Sequence, residues 1–245
     1  KTLYPLLHYF EVLKKHTNFF PIKPIRKLIF SIYKKYRRLI FNLDHHDIFI
    51  DYKNASFFKE LRHIHKPKIT WCHGSFDFFQ QNKLIKRLKY YNKMVVLTDE
   101  FQHEFNSYYP HLSNKIIRIY NSIDPAHITS MANCAPTYNG KYFCSVSRLG
   151  APKDITTIIH AFVCFLEAEQ YPDVKLLIIG DGPYRHNLEL LAKHSNAQNH
   201  IAFLGTQTNP FGYMKNSMAH ILSSNNEGFG MVLLEATAVG TLNIS

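Results

Sequence analysis

Cysteine is scarce in this sequence: Cys72, Cys134, Cys144 and Cys164 are four in 245 residues, and none forms a CxxC pair. That density excludes a disulfide-framed small scaffold, and that spacing excludes a thiolate zinc site. Ten glycines exclude a collagen-like repeat, and no apolar run approaches the ~18 residues that a membrane-crossing helix needs. No signal-peptide h-region is visible, so a cytoplasmic, reducing setting is expected. Acidic residues are thin at the front: residues 1–93 carry 20 Lys/Arg against 6 Asp/Glu, whereas residues 94–245 carry 9 against 12. What is abundant is apolar and aromatic, 46% and 14% of the chain, enough for a packed core.

The length permits one large domain or two smaller ones, and the charge asymmetry favours two. A front half this basic is expected to meet something anionic. Residues 25–41, IRKLIFSIYKKYRRLIF, gather Lys27, Lys34 and Arg38 on one helical face and Ile25, Ile29, Ile32, Tyr36, Leu39 and Ile40 on the other. This basic amphipathic helix is expected either to dock on anionic lipid, aided by a second basic stretch at 83–93, or to be an ordinary domain helix with its apolar face in the core.

From Asp47 onward, strand-like and helix-like segments alternate. Strands are expected at 47–52, 68–73, 93–98 and 115–124, with helices at 56–65, 83–91 and 99–109. Residues 125–140 lack periodicity and are read as a linker. Beyond it, strands are expected at 142–148, 175–180, 201–205, 219–224 and 241–245, and helices at 154–170, capped by Asp154, at 183–194, opened by Pro183, and at 230–239. Alternation of this kind predicts two parallel-sheet α/β domains, Rossmann-like and facing across a cleft, at 1–124 and 141–245.

The segment NNEGFGMVLLEATAVG (225–240) carries the most chemistry. Gly228 and Gly230 flank Phe229 where a strand meets a helix, so the backbone can turn sharply and present the amides of Gly230, Met231 and Val232 to an anion. Glu227 and Glu235, with seven residues between them, would repel a phosphate and are therefore expected to face hydroxyl groups or a cation. Sugars supply such hydroxyls.

This stretch resembles the E-x7-E signature of retaining glycosyltransferase family 4, the group 1 transferases with the GT-B fold. Other segments resemble that family's pattern in order: WCHG (71–74), IYNSID (119–124), YFCSVSRLGAPKDITTIIHAF (142–162), LLIIGDGPYRHNLELL (176–191) and IAFLG (201–205). The resemblance implies that Arg148 and Lys153 grip the diphosphate of a nucleotide-sugar, that Glu235 accepts from its ribose, and that Glu227 contacts its sugar hydroxyls near the reacting centre. It also implies that His73, after an N-domain strand, faces the transferring sugar. No divalent ion or other cofactor is implied, because the basic pair and the helix start neutralise the leaving nucleotide.

Other readings carry less. The histidines at 45–46, 63 and 65 lack the cysteines or carboxylates of a metal site. GDGP (180–183) has Arg185 where a dinucleotide fingerprint needs its third glycine, so NAD is not expected. Asn54–Ala55–Ser56 matches a glycosylation sequon only formally. No nucleic-acid module is recognisable. Ser122 and Asp154 stand where the family writes glycine, and both ends of the family's chain are missing, so the sequence is expected to be a piece of a longer protein. The expected function is sugar transfer, with retention, from a nucleotide-sugar to a glycan or lipid-linked acceptor in bacterial lipopolysaccharide or capsule synthesis, peripheral on the cytoplasmic face of the inner membrane. The alternatives are a GT-B transferase with a soluble acceptor and a non-catalytic, membrane-associated subunit of a glycan assembly complex.

Overall fold

The computed structural model describes residues 46–134, 138–169 and 173–245; the basic segment 25–41 lies outside them. They form two parallel sheets. In the first, β1 (Phe49–Asp51), β2 (Lys68–Trp71), β3 (Lys93–Val96) and β4 (Ile116–Arg118) lie side by side in chain order. Their connections hold α1 (Phe58–Leu61), α2 (Phe76–Gln81), α3 (Ile85–Leu88) and α4 (Asp99–Tyr108). Ser75 and Thr98 start α2 and α4 by accepting the amides of Phe78 and Phe101 at 3.2 and 3.1 Å, three residues on, which satisfies donors the helix itself leaves unpaired.

These helices pack on one face of the sheet through aromatic rings. Phe76, Phe79, Phe101 and Phe105 form pairs with centroids 5.5–5.9 Å apart, mostly edge to face. Asp51 is buried beneath them and accepts from the amides of Lys53 and Phe57 and from the Tyr91 hydroxyl, at 2.9, 2.9 and 2.5 Å. The other face of the sheet leaves Ile50, Tyr52 and Ile117 exposed.

The second sheet comprises β5 (Tyr142–Val146), β6 (Lys175–Ile179), β7 (Ile201–Gly205), β8 (His220–Ile221) and β9 (Asn243–Ile244), in the spatial order β7-β6-β5-β8-β9, all parallel. Its helices are α5 (Pro125–Asn133), α6 (Ile155–Glu169), α7 (Arg185–Lys193), α8 (Phe211–Lys215) and α9 (Met231–Ala238). Strands of a sheet covered on both faces are apolar along their whole length. KLLII of β6 meets that requirement, with Leu176, Leu177 and Ile178 fully buried: Leu176 and Ile178 join the core under α6, and Leu177 the core with Met214 and Ala236 on the opposite side. The chain builds outward from β5 to β7, then returns to place β8 and β9 on the other flank of β5. That reversal opens a crevice at the carboxyl ends of β5 and β8, where ligands bind in folds of this class.

Three local expectations are corrected. Part of the span read as an aperiodic linker, Pro125–Asn133, is helical because Asp124 accepts the His127 amide at 3.0 Å and Pro125 fits the first turn. That helix packs with the second sheet's elements, the Thr129 hydroxyl donating to Ala238 O at 3.2 Å and the Asn209 amide to Met131 O at 2.9 Å. Pro183 does not open a helix; it sits in a turn closed by Arg185 N to Gly182 O, and α7 begins at Arg185. Of the helix expected over 83–91, only Ile85–Leu88 forms, preceded by Lys83 in the left-handed region at φ 52°.

Candidate active site

All ten residues expected at the site line one cleft of ≈ 480 Å³ between the two sheets: His73 from the first, and Arg148, Lys153, Glu227, Gly228, Phe229, Gly230, Met231, Val232 and Glu235 from the second. Leu97, Asn121, Val146 and Ser147, which the sequence reading did not single out, complete it. Leu97 and Asn121 follow β3 and β4 as His73 follows β2, so strand polarity alone could have located them.

Arg148 stands on the loop after β5. The two glycines of GDGP hold that loop in place: a Cβ on Gly180 would lie 1.9 Å from Ser147 O, and one on Gly182 would lie 2.2 Å from Leu149 O. Neither position admits a side chain. Ser147 N donates to Ile179 O and Leu149 N to Asp181 O, both at 3.0 Å, and Tyr184 N closes on Leu149 O at 3.1 Å. In this chain the GxG turn therefore braces the arginine loop. The Arg148 side chain itself is exposed and has no hydrogen-bond or ion-pair partner among the described residues, and the buried Ser147 hydroxyl beside it is likewise unpartnered.

Lys153 is fixed from the other side. The Ser223 hydroxyl lies 3.0 Å from Lys153 O and 2.8 Å from Asp154 O, and Asn225 N donates to Pro152 O at 3.0 Å, tying this loop to the one after β8. Asp154 adopts the left-handed conformation, φ 42°, that explains glycine as the usual residue there; aspartate is among the few side chains that tolerate it. Its carboxylate accepts from the Thr157 hydroxyl at 2.8 Å. The Lys153 ammonium forms an ion pair with Glu227 in the cleft.

Gly230, at φ 72°, turns the chain into α9, whose first amides have no acceptor within the helix and line the cleft. Glu235, further along α9, is half-buried, and that burial raises its carboxyl above the usual carboxylate range. Gly228 meets the first domain: a Cβ there would be 1.8 Å from His73 O. The His73 turn is also held by its own amide, which donates to the Asn54 side chain at 2.7 Å, so Asn54 is a positioning residue. Ser75 donates to Asn226 at 3.0 Å, and Tyr120 packs on Phe229 with centroids 6.1 Å apart.

One further support was not legible in the sequence. His220 is fully buried on β8; its Nε2 accepts the Val146 amide at 3.4 Å and its Nδ1 lies 3.1 Å from Asn243 Oδ1. Asn243 in turn donates to Leu233 O at 3.0 Å and Thr237 Oγ1 at 2.9 Å on α9. Burial lowers the His220 pKa, which keeps the ring neutral and able to accept from Val146. Strand β5, with Arg148 just beyond its end, and helix α9, with Glu235, are thus connected through one imidazole and one amide. Among the described residues, no group of three or more His, Cys, Asp or Glu is placed to hold a metal ion, and no helix is long and apolar enough to cross a membrane.

Residues 135–245 match the sequence model of the family described as glycosyl transferases group 1. Over 164 residues the chain is 29% identical to an uncharacterized glycosyltransferase, MJ1059, of Methanocaldococcus jannaschii, covering 64% of this chain and 40% of that protein. It is 27% identical over 247 residues to the N-acetylgalactosamine-N,N'-diacetylbacillosaminyl-diphospho-undecaprenol 4-alpha-N-acetylgalactosaminyltransferase of Campylobacter jejuni, covering 95% of this chain and 65% of that one. The chain thus spans less than two thirds of either relative. Among solved structures, Anabaena Alr3699/HepE in complex with UDP and glucose superposes with a TM-score of 0.69 at 17% identity, over 85% of this chain and 61% of that one. The two facing parallel-sheet domains are the GT-B fold.

Proposed function

We propose that this chain, which belongs through residues 135–245 to the group 1 glycosyltransferases, transfers a sugar from a nucleotide-sugar donor to a glycan or lipid-linked acceptor. The observation that carries the reading is the crevice between β5 and β8, where an unpartnered arginine, a lysine and the open start of α9 converge opposite His73. In this reading the donor diphosphate lies against Arg148, Lys153, the Ser147 hydroxyl and the first amides of α9, which together offset its charge and that of the departing nucleotide. Glu235 accepts from the ribose, Glu227 from the sugar, and His73 donates toward the transferring group.

Among the described residues the cleft holds two carboxylates, Glu227, which is paired with Lys153, and Glu235, which this reading assigns to the ribose, so neither is assigned as a nucleophile. Retention then proceeds by front-face attack: the bond from the anomeric carbon to phosphate breaks, the acceptor oxygen bonds to that carbon on the same face, and its proton passes to the leaving phosphate. No metal is required in this scheme. The Campylobacter relative's diphospho-undecaprenol acceptor supports a lipid-linked acceptor, hence work at the cytoplasmic membrane face in lipopolysaccharide or capsule assembly, with 25–41 and 83–93 as the basic contacts. Co-sedimentation with anionic liposomes tests that last step; absence of salt-sensitive binding removes it.

The donor reading is tested by a thermal-shift screen of UDP-, GDP-, ADP- and TDP-sugars with wild type, Arg148→Ala and Glu235→Ala. Stabilisation by one nucleotide class, lost in both variants, is expected, since a ligand that binds only the folded state raises its stability. No shift with any donor at millimolar concentration leaves the non-catalytic alternative.

A further inference from the structure

We propose that Glu227 sets a preference for the intact nucleotide-sugar over the free nucleoside diphosphate, and that it does so by competing for Lys153. The inference rests on the donor-site reading above and concerns how the cleft discriminates between its ligands. Two cations face the expected diphosphate position, and they are in different states. Arg148 has no partner among the described residues, whereas the Lys153 ammonium is engaged by the Glu227 carboxylate, with both side chains about three-quarters buried (24% and 29% exposed). The backbone on either side of that pair is held in place. Lys153 is anchored through Ser223 and Asn225, and Glu227 sits between Asn226, bonded to Ser75, and Gly228, which is pressed against His73.

A diphosphate that recruits Lys153 must therefore draw it from Glu227. What happens next depends on what the diphosphate carries. A free nucleoside diphosphate leaves Glu227 as an unpaired, partly buried carboxylate beside another anion, which opposes binding. A nucleotide-sugar brings hydroxyl groups that donate to the vacated carboxylate and replace the lysine's hydrogen bonds. The same residue thus penalises the spent nucleotide and rewards the donor, and the lysine pair re-forms as product leaves.

Glu227→Gln separates the two effects, because it keeps the shape and one acceptor oxygen but removes the charge. Titration calorimetry would compare wild type and variant with free UDP, GDP, ADP and TDP, and with the sugar-nucleotide of whichever base stabilises the wild type. Free diphosphate is expected to bind Glu227→Gln about two- to fivefold more tightly, the scale of a partly exposed ion pair. The sugar-nucleotide is expected to bind roughly tenfold more weakly, as a charge-assisted acceptor is lost. In a Lys153→Ala background the gain for free diphosphate should shrink. Free diphosphate binding Glu227→Gln no better than wild type overturns the proposal while leaving the donor site intact, and so does a gain of undiminished size without Lys153. Wild-type protein that binds none of the nucleotides overturns the donor-site reading, and this inference with it. A melting curve unchanged without ligand confirms that the variant folds.

Discussion

The two sheets are made by the same alternation of short strand and short helix, yet they reach the cleft by different means. The first runs its strands in simple order over an aromatic core and contributes the residues just beyond its strand ends, His73, Leu97 and Asn121. The second reverses direction at β5, is covered on both faces by mixed aliphatic and aromatic cores, and supplies every charged group of the cleft. Its loops are also cross-braced to one another, through Gly180 and Gly182, through Ser223, and through His220 and Asn243. In the donor reading, the grip on a charged ligand gathers on one cross-braced body, and the facing body supplies contact from loop ends.

That contrast is broken most severely by filling the glycine braces. Gly182→Ala and Gly180→Ala each place a Cβ about 2 Å from a backbone oxygen, the latter at φ 135°, and are expected to cost about 3 kcal/mol, or roughly 10 °C in melting temperature. Gly150→Ala, where a Cβ would meet nothing closer than 4.0 Å, should cost under about 0.5 kcal/mol. Calorimetric melting of the three variants checks the difference, and equal losses would mean that GDGP does not brace the arginine loop.

Next in size are changes that leave the folded state alone and affect the ligand. Arg148→Ala removes a side chain with no described partner, so the melting temperature without ligand should hold while nucleotide-sugar affinity falls about 10- to 100-fold. Gly228→Ala differs: its Cβ would lie 1.8 Å from His73 O, so it should lower the melting temperature as well as weaken that affinity. In the first sheet the opposite pattern is expected. Tyr91→Phe leaves the buried Asp51 one donor short and should cost about 1–2 kcal/mol with unchanged nucleotide affinity. A melt and a binding titration on each variant separate grip from scaffold.

How much of this was legible follows from the range over which each feature is encoded. β7 is read at its true bounds, 201–205, and α9 within a residue, because apolar runs bounded by glycine specify them locally. Helix α2 escapes the reading because FDFFQQ, six residues with three phenylalanines, is too short to show a helical period, and its start lies in the Ser75 cap alone. Helix α5 escapes for lack of a broad apolar stripe, although Asp124–Pro125 announces it. The ten residues that line the cleft are recognisable because they stand in short segments of glycine, arginine and glutamate, the residue types that the proposed phosphate and sugar binding would use. The supports are not: Gly228 against His73, His220 against Val146 and Lys153 against Glu227 join segments distant in the chain, where no period or spacing connects them.

The smallest predicted effect is the one in which stability and binding move apart. Burial raises the Glu235 carboxyl, so between its ordinary value and its folded value the native state holds more protons than the unfolded chain. Stability from this group is therefore greater at acidic pH and declines as pH rises through the folded value, the reverse of a carboxylate that gains a cationic partner. At neutral pH the ionised carboxylate opposes folding. Glu235→Gln should raise the melting temperature by ~1–2 °C at pH 7, a screened effect of a few tenths of a kcal/mol at a half-exposed site, and should flatten the acid-side rise. The same substitution should weaken nucleotide-sugar binding, because an amide is a poorer acceptor for ribose hydroxyls than a carboxylate. A variant that gains stability and keeps full affinity would remove Glu235 from the donor grip and return it to the ordinary surface of α9.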